Sequence, residues 1–476
     1  MLTDVPPAGP EPAIGPVILD AEQRAARISQ AAPAARQLAA AGVTAVALCW
    51  VDNAGITRVK TIPASQLGAA AGWGVGMSPV FDVFLVDDSI TASKHIGGPG
   101  GDLRLVPDLG RLTVLAGQPG WAWAPADRYT RQGRVYAGCQ RSFARRMTEA
   151  AHEKGLRVRM AFEIEWAAGT EQDGQFRPAC AGPAYGMTRV IELSDYCREV
   201  VEALQREGLA VQQFHPEYAA GQLEVSVAAT DPVGAADDSV LVRQTIRAVS
   251  ARHGLQASFA PSVAAGTVGN GGHVHLSVWR DGQNLLAGGP GRFGLTTDGE
   301  AFAGGILAEL PALAAVGAPS VASYLRLVPS HWAGVFQCWG LENREAALRL
   351  VTGSAGEQDE RANIEIKCFD LAANPYLLAG SLIAAGLAGL GSGSTLPADI
   401  DGDPAGHDPG ELDRRGIRRL PRTLPEATGY LERAAVLREA MGEPLAEAFL
   451  AVRRGEAELF AGADDQEVVA RTRWRW

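Results

Sequence analysis

From Ala161 to Trp166 the chain reads Ala-Phe-Glu-Ile-Glu-Trp, an alternation with the period of an extended strand. Residues two apart in a strand share a face, so Glu163 and Glu165 point one way while Phe162, Ile164 and Trp166 point the other. Gly272-His-Val-His-Leu-Ser277 repeats the pattern and aligns His273, His275 and Ser277. Asn363-Ile-Glu-Ile-Lys367 does the same for Asn363, Glu365 and Lys367. Three strands thus carry polar stripes backed by apolar residues.

An unpaired carboxylate in such apolar surroundings is costly, so something positive must meet it. Glu163, Glu165, Glu217, Glu224, His273 and Glu365 occupy four short segments, and the simplest shared partner is a pair of metal ions. A half-exposed antiparallel strand explains any one stripe equally well. It does not explain Phe214-His-Pro-Glu217 and Gly221-Gln-Leu-Glu224, where a turn separates two more carboxylates. Five carboxylates and one imidazole favour Mg²⁺ or Mn²⁺ over structural zinc. The commonest reason for such a face is a nucleoside triphosphate held through its metals, although no GxxxxGK[ST] loop is present. The glycines of Gly266-Thr-Val-Gly-Asn-Gly-Gly272, among them Gly269 and Gly271, let backbone amides approach a ligand. Arg326, Arg344 and Arg349 are candidates to neutralise a phosphoryl group; surface ion pairs are the alternative.

Length, 476 residues, permits two or three domains, and the net charge of -11 argues against nucleic acid as a partner. Only Arg471-Thr-Arg-Trp-Arg-Trp476 is basic and aromatic, and a packed or frayed end explains it better than an acidic partner. The six cysteines have no CxxC spacing, which suits reduced thiols in a cytoplasmic protein. The Pro-rich start lacks a signal peptide's charged and apolar regions, and residues 1–20 read as a disordered leader. The most apolar stretch, Leu377 to Leu390, is too short to span a bilayer and reads as a buried helix.

Two regions follow the leader. In residues 21–130 a helix from Ala21 to Ala41 precedes a hairpin, Val43–Trp50 and Ile56–Ile62, turning at Asp52-Asn-Ala-Gly55. Gly72 to Gly101 reads as an ordered loop region, and Leu103–Asp108 and Arg111–Leu115 as further strands. In residues 131–476 helix, Gly stop and strand recur: Arg141–Lys154 before Val158–Trp166, Leu193–Glu207 before Ala210–His215, and Asp237–His253 before Gln256–Ala260. Gly391 through Pro409 reads as a flexible acidic loop and Leu424 to Phe460 as two or three helices.

In order along the chain these motifs resemble the glutamine synthetase family from about residue 40 to 460. They are Glu163-x-Glu165, His215-x-Glu217 with Gly221-Gln-x-Glu224, Gly269 to Ser277, Arg326-Leu-x-Pro329, Asn343-Arg344 to Arg349, and Glu365 to Ala373-Asn-Pro-Tyr376. The resemblance implies an α+β fold: a small N-terminal β-grasp domain and a large catalytic domain with a curved antiparallel sheet. It implies Glu165, Glu217 and Glu224 at one metal and Glu163, His273 and Glu365 at the other. His215, His275, Ser277, Arg349 and Arg361 would meet ATP, and Gly269, Gly271, Arg326 and Lys367 the acid substrate. Family members stack two rings, so a self-assembled dodecamer is implied, with Asp52 acting across an interface.

The implied chemistry is attack of a substrate carboxylate on the ATP γ-phosphate, then displacement of phosphate by an amine. Arg326 and Arg344 stabilise the first step. Asp52 would take the amine's proton. Departures bear on the substrate. Where ammonia-using members place a flap glutamate, this chain has Trp332 beside His331, which favours a larger, partly apolar amine with His331 as base. Lys367 replaces an arginine that grips glutamate and loses the bidentate fork. Asn363 replaces another arginine, with Arg361 two residues earlier on the same strand face. Arg418-Arg-Leu-Pro421 stands where some members carry an adenylylated tyrosine. The expected activity is ligation of a glutamate-like γ-carboxylate to an organic amine; the alternatives are ordinary glutamine synthesis from ammonia, a guanidino phosphotransferase and a non-catalytic homologue.

Overall fold

The computed structural model describes residues 13–98 and 100–476. The leader expected over residues 1–20 therefore lies outside the described residues as far as residue 12. Its end is ordered: Ala13–Val17 is a strand paired antiparallel with Arg134–Tyr136.

The first sheet is built around Trp121–Thr130, which pairs parallel with Ala45–Val51 and antiparallel with Leu103–Pro107, Thr113–Val114 and Arg134–Tyr136. Sequence reasoning missed this strand because every residue after Trp121 is buried, so no alternation marks it. Ala45–Val51 returns as Thr57–Pro63 through the expected turn, and the expected helix is present as Ala21–Ala40, capped by the Asp20 side chain. Val75–Met77, inside the expected loop region, is a strand against Leu103–Pro107. Arg111–Leu115 shrinks to Thr113–Val114 because Leu109–Arg111 is a 3-10 turn capped by Asp108. The sheet ends at Tyr136 rather than at residue 130, and the next helix is Gln140–Glu153.

The second sheet runs, in spatial order, Val211–Pro216, Gln222–Val227, Arg157–Gln172, Val274–Arg280, Asn363–Ile366, Ala346–Val351 and Phe336–Leu341. It is antiparallel except for the last pair, which is parallel. Ser194–Arg206 and Pro232–Arg252 carry the apolar faces that join its strands in one core. Thr297–Gly317 and Pro375–Ser392 are long and apolar enough to cross a bilayer, the second exceeding the expected Leu377–Leu390, yet 78% and 72% of their apolar windows are buried in the protein. They cross at Gly305 and Gly389, where a Cβ on Gly305 would lie 2.7 Å from the Gly389 Cα.

The segment from Gly391 to Pro409 is anchored: Ile400 is 1% exposed and its N–H donates to the Trp339 carbonyl. Three helices, Leu424–Arg433, Ala435–Met441 and Glu443–Leu459, form the expected tail. The basic end is packed. The Trp476 indole donates to the Ala54 carbonyl at 2.9 Å and Arg475 pairs with Asp88 at 3.2 Å. Arg453 donates to the Asn53 carbonyl, and Asn374 to those of Val51 and Asp52, so the N-terminal hairpin turn is tied to the C-terminal helices at several points. All six cysteines are buried and free.

Burial lifts the Asp370 carboxyl to about 6, against the charge of Arg326. Folding therefore favours its protonated form, and its contribution to stability falls as pH rises from about 4 through about 6. Asp370→Asn does not titrate. Relative to the parent, the variant is expected to gain on the order of 2 kcal/mol between pH 4 and pH 7. Urea unfolding at the two pH values measures it, and an unchanged difference between the proteins rejects the assignment.

Candidate active site

Strand register assembles the site. Glu224 stands opposite Glu165, His215 opposite Glu224, Glu365 opposite His275, and Arg349 opposite Glu365. The His273 carbonyl accepts from the Glu163 N–H, which sets these two residues side by side. Three staggered sets of cross-strand neighbours, His215–Glu224–Glu165, Glu163–His273 and His275–Glu365–Arg349, thus share one face of the sheet.

Two clusters can hold a cation: Glu163, His273 and Glu365, and His215, Glu217 and Glu224, each with ligand atoms within 4.8 Å of one another. In the first, His273 Nδ1 lies 2.7 Å from Glu163 and 3.3 Å from Glu365. Its Nε2 is 3.0 Å from Arg326 Nη2, and since a guanidinium only donates, Nε2 accepts. Glu365 accepts from Lys367 Nζ and Arg349 Nη1, both at 2.9 Å. Burial opposes its charge, but Lys367, His275 and His273 hold its carboxyl down at about 2.

In the second cluster His215 lies 3.4 Å from Glu217 and 3.5 Å from Glu224. Burial, reinforced by Glu163, Glu165 and Glu217, lifts the Glu224 carboxyl to about 8. Contact with Glu224 in turn raises His215 to about 9, against burial. Burial also raises Glu165, which receives the Gly271 N–H at 2.8 Å and the Gln222 amide at 3.0 Å. Gly271 has no room for a side chain, because a Cβ there would lie 2.6 Å from both Glu165 and His273. The carboxylates crowded around Glu224 and the oxygen-rich donor set with one imidazole in each cluster fit a hard divalent cation.

Both clusters open on one cavity of about 570 Å³. The expected residues Gly269, Gly271, Arg326, Arg344, Arg349, Lys367, His331 and Trp332 line it as well. Arg326 is 7% exposed and its Nη1 has no hydrogen-bond partner among the described residues. Four expected residues are placed elsewhere. His275 stands behind Glu163, bonded to it at 3.0 Å and to Asn363 at 2.8 Å. Ser277 accepts from the Trp279 indole at 2.8 Å. Arg361 is exposed and does not share a strand face with Asn363; it ends the short helix Gln358–Arg361 just before the strand starts. Asp52 is fully enclosed in its own chain, bonded to Arg58 at 2.7 Å and to the Ala54 and Ile56 N–H groups. Burial pushes its carboxyl to about 6, with Arg58 opposing.

The flap over the cavity is held in an unfavourable backbone shape. Ser330 has φ +60° and Trp332 φ +55°, a left-handed conformation costing about 1–2 kcal/mol for each such residue. Ser330 Oγ bonds Asp403 at 2.6 Å and the Trp332 N–H donates to Glu345 Oε1 at 2.7 Å, which pins it. Sequence reasoning missed Glu345, and it missed Tyr185, Tyr218 and Gln222 in the cavity lining. Tyr218 and Gln222 lie inside the segment that carries Glu217 and Glu224, and that adjacency was the available signal.

Comparison with known proteins agrees with this geometry. The family described as "Glutamine synthetase, catalytic domain" matches residues 137–470. The "Gamma-glutamylpolyamine synthetase GlnA3" of Streptomyces coelicolor is 57% identical over 456 residues, 95% of this chain and 98% of that protein. A "Glutamine synthetase" of Halobacterium salinarum is 31% identical over 437 residues, 90% of this chain and 93% of that protein. Among solved structures, a "novel glutamine synthase homolog" superposes with a TM-score of 0.81 at 33% identity, covering 91% of this chain and 99% of that one. With residues 137–470 matched by the family's catalytic domain and relatives covered over nine-tenths of their length, the chain belongs to the glutamine synthetase family of ATP-dependent carbon–nitrogen ligases.

Proposed function

We propose that the enzyme joins the γ-carboxylate of glutamate, or of a closely similar acid, to an organic amine, with a polyamine as the favoured class. One observation carries the choice of amine: the flap places Trp332 and His331, not a carboxylate, over the cavity that holds both cation clusters. The 57% identity to a γ-glutamylpolyamine synthetase, against 31% to a glutamine synthetase, supports it.

Glu163, His273 and Glu365 would hold one Mg²⁺ or Mn²⁺, and Glu217 and Glu224, with Glu165 or His215, a second. Bound there, divalent ions neutralise and orient the triphosphate. Arg326 offers its free Nη1 to the transferring phosphoryl group, with Arg344 and Arg349 adding charge. A substrate carboxylate oxygen bonds to the γ-phosphorus as the bond to ADP breaks. The amine nitrogen then bonds to the acyl carbon as phosphate leaves with the carbon–oxygen bond electrons. His331, exposed at the flap, takes the amine's proton, since Asp52 is engaged within its own chain. His215 and Arg349 are the nucleotide contacts this cavity favours. Assembly into stacked rings of identical subunits belongs to the same reading.

Phosphate release from Mg-ATP and glutamate is the test, with ammonia, monoamines, diamines and polyamines compared at equal concentration. An organic amine is expected to exceed ammonia by at least about tenfold in kcat/KM, the range that pocket contacts with one or two extra groups supply. Ammonia turning over as well as every amine rejects the reading.

A further inference from the structure

Tyr218 and Trp332 come from segments more than a hundred residues apart, yet their rings meet at 5.3 Å with planes inclined by 55°. Two rings at that inclination form a shallow V, and both line the cavity that holds the cation clusters. Each is 46% exposed, so both ring faces can be reached from solvent. Both lie close to acidic groups. Tyr218 follows Glu217 in the chain and its N–H donates to that carboxylate at 3.2 Å, while Tyr185 donates its hydroxyl to the same group at 2.7 Å. The strained backbone at Trp332, pinned by Glu345, fixes where the indole stands.

A pair of exposed π-faces lining a cavity is the chemistry that receives an ammonium group, without drawing on Glu217, which belongs to the second cation cluster. The geometry points to the Tyr218–Trp332 pair as the seat of a second, non-reacting ammonium of a diamine or polyamine, so that the pair selects these amines over monoamines of the same length. This inference rests on the amine reading above and adds the residues that discriminate within it. Tyr218 and Trp332 are specificity determinants in this role, while the reacting nitrogen lies deeper, toward the clusters.

Steady-state phosphate release with Mg-ATP and glutamate tests it, using a 1,4-diamine and n-butylamine as paired substrates. In the unmodified enzyme kcat/KM should favour the diamine by about tenfold, the size of one partly desolvated cation–π contact. Tyr218→Ala and Trp332→Ala should each shrink that ratio several-fold through KM for the diamine, and Trp332→Phe should restore most of it. The ratio, unlike either rate alone, is insensitive to partial unfolding of a variant. A ratio unchanged in both alanine variants, or an equal loss on both amines, overturns the inference while leaving the amine reading intact. If the unmodified enzyme shows no preference for the diamine over n-butylamine, this inference is overturned, while the amine reading is decided separately by the comparison of ammonia with the full amine panel.

Discussion

Glu365→Gln is expected to lower kcat for phosphate release about 10²–10³-fold, the scale on which removal of a single preorganised electrostatic group from a catalytic site is felt. Glu365 is 2% exposed and receives Lys367 and Arg349 at 2.9 Å each, while His273 lies 3.3 Å away. The amide keeps the shape but removes the charge, leaving the buried Lys367 ammonium and the part-buried Arg349 facing a neutral group and a cation cluster one carboxylate short. Mn²⁺ affinity, read by electron paramagnetic resonance, should weaken about 10–100-fold in the same variant. Loss of rate with full Mn²⁺ affinity would show that Glu365 serves as an anchor for Arg349 and Lys367, and would remove it from the metal site.

Arg326→Ala carries the second large effect, a fall in kcat of about 10³-fold or more, as for arginines that neutralise a transferring phosphoryl group. One arm of this guanidinium is committed, with Nη2 on His273 and the Lys367 carbonyl, and the other carries a donor with no acceptor among the described residues. A buried cationic N–H without an acceptor costs folding energy that an incoming anion recovers. Arg326→Lys should recover only part of the rate, because an ammonium keeps the charge and loses the two-armed geometry. A variant with parental kcat and only a raised KM for the acid would move Arg326 from the phosphoryl step to substrate capture.

The row of metal-capable residues was legible because a strand converts spacing into a face: Glu163 and Glu165 had to share a side once Phe162, Ile164 and Trp166 were buried, and they are. The register that sets Glu224 against Glu165 and Arg349 against Glu365 was not legible, because it depends on pairings between distant segments. Arg361 shows a local limit, since the strand starts at Asn363 and a turn of helix points the arginine elsewhere. Trp121–Thr130 shows another: a strand covered on both sides has no polar stripe to betray it. Tyr185 and Tyr218 are ordinary aromatics in sequence, and only tertiary contact brings Tyr185 onto Glu217 and Tyr218 onto Trp332, the flap residue that the resemblance singles out.

The ties that hold the turn at Asp52 onto the catalytic region, from Arg453, Asn374 and Trp476, leave little freedom for rigid-body rotation between the two sheets. With the Ser330–Trp332 stretch pinned as well, a catalyst of this build meets its substrates with a preset frame, and its radius of gyration should barely respond to nucleotide.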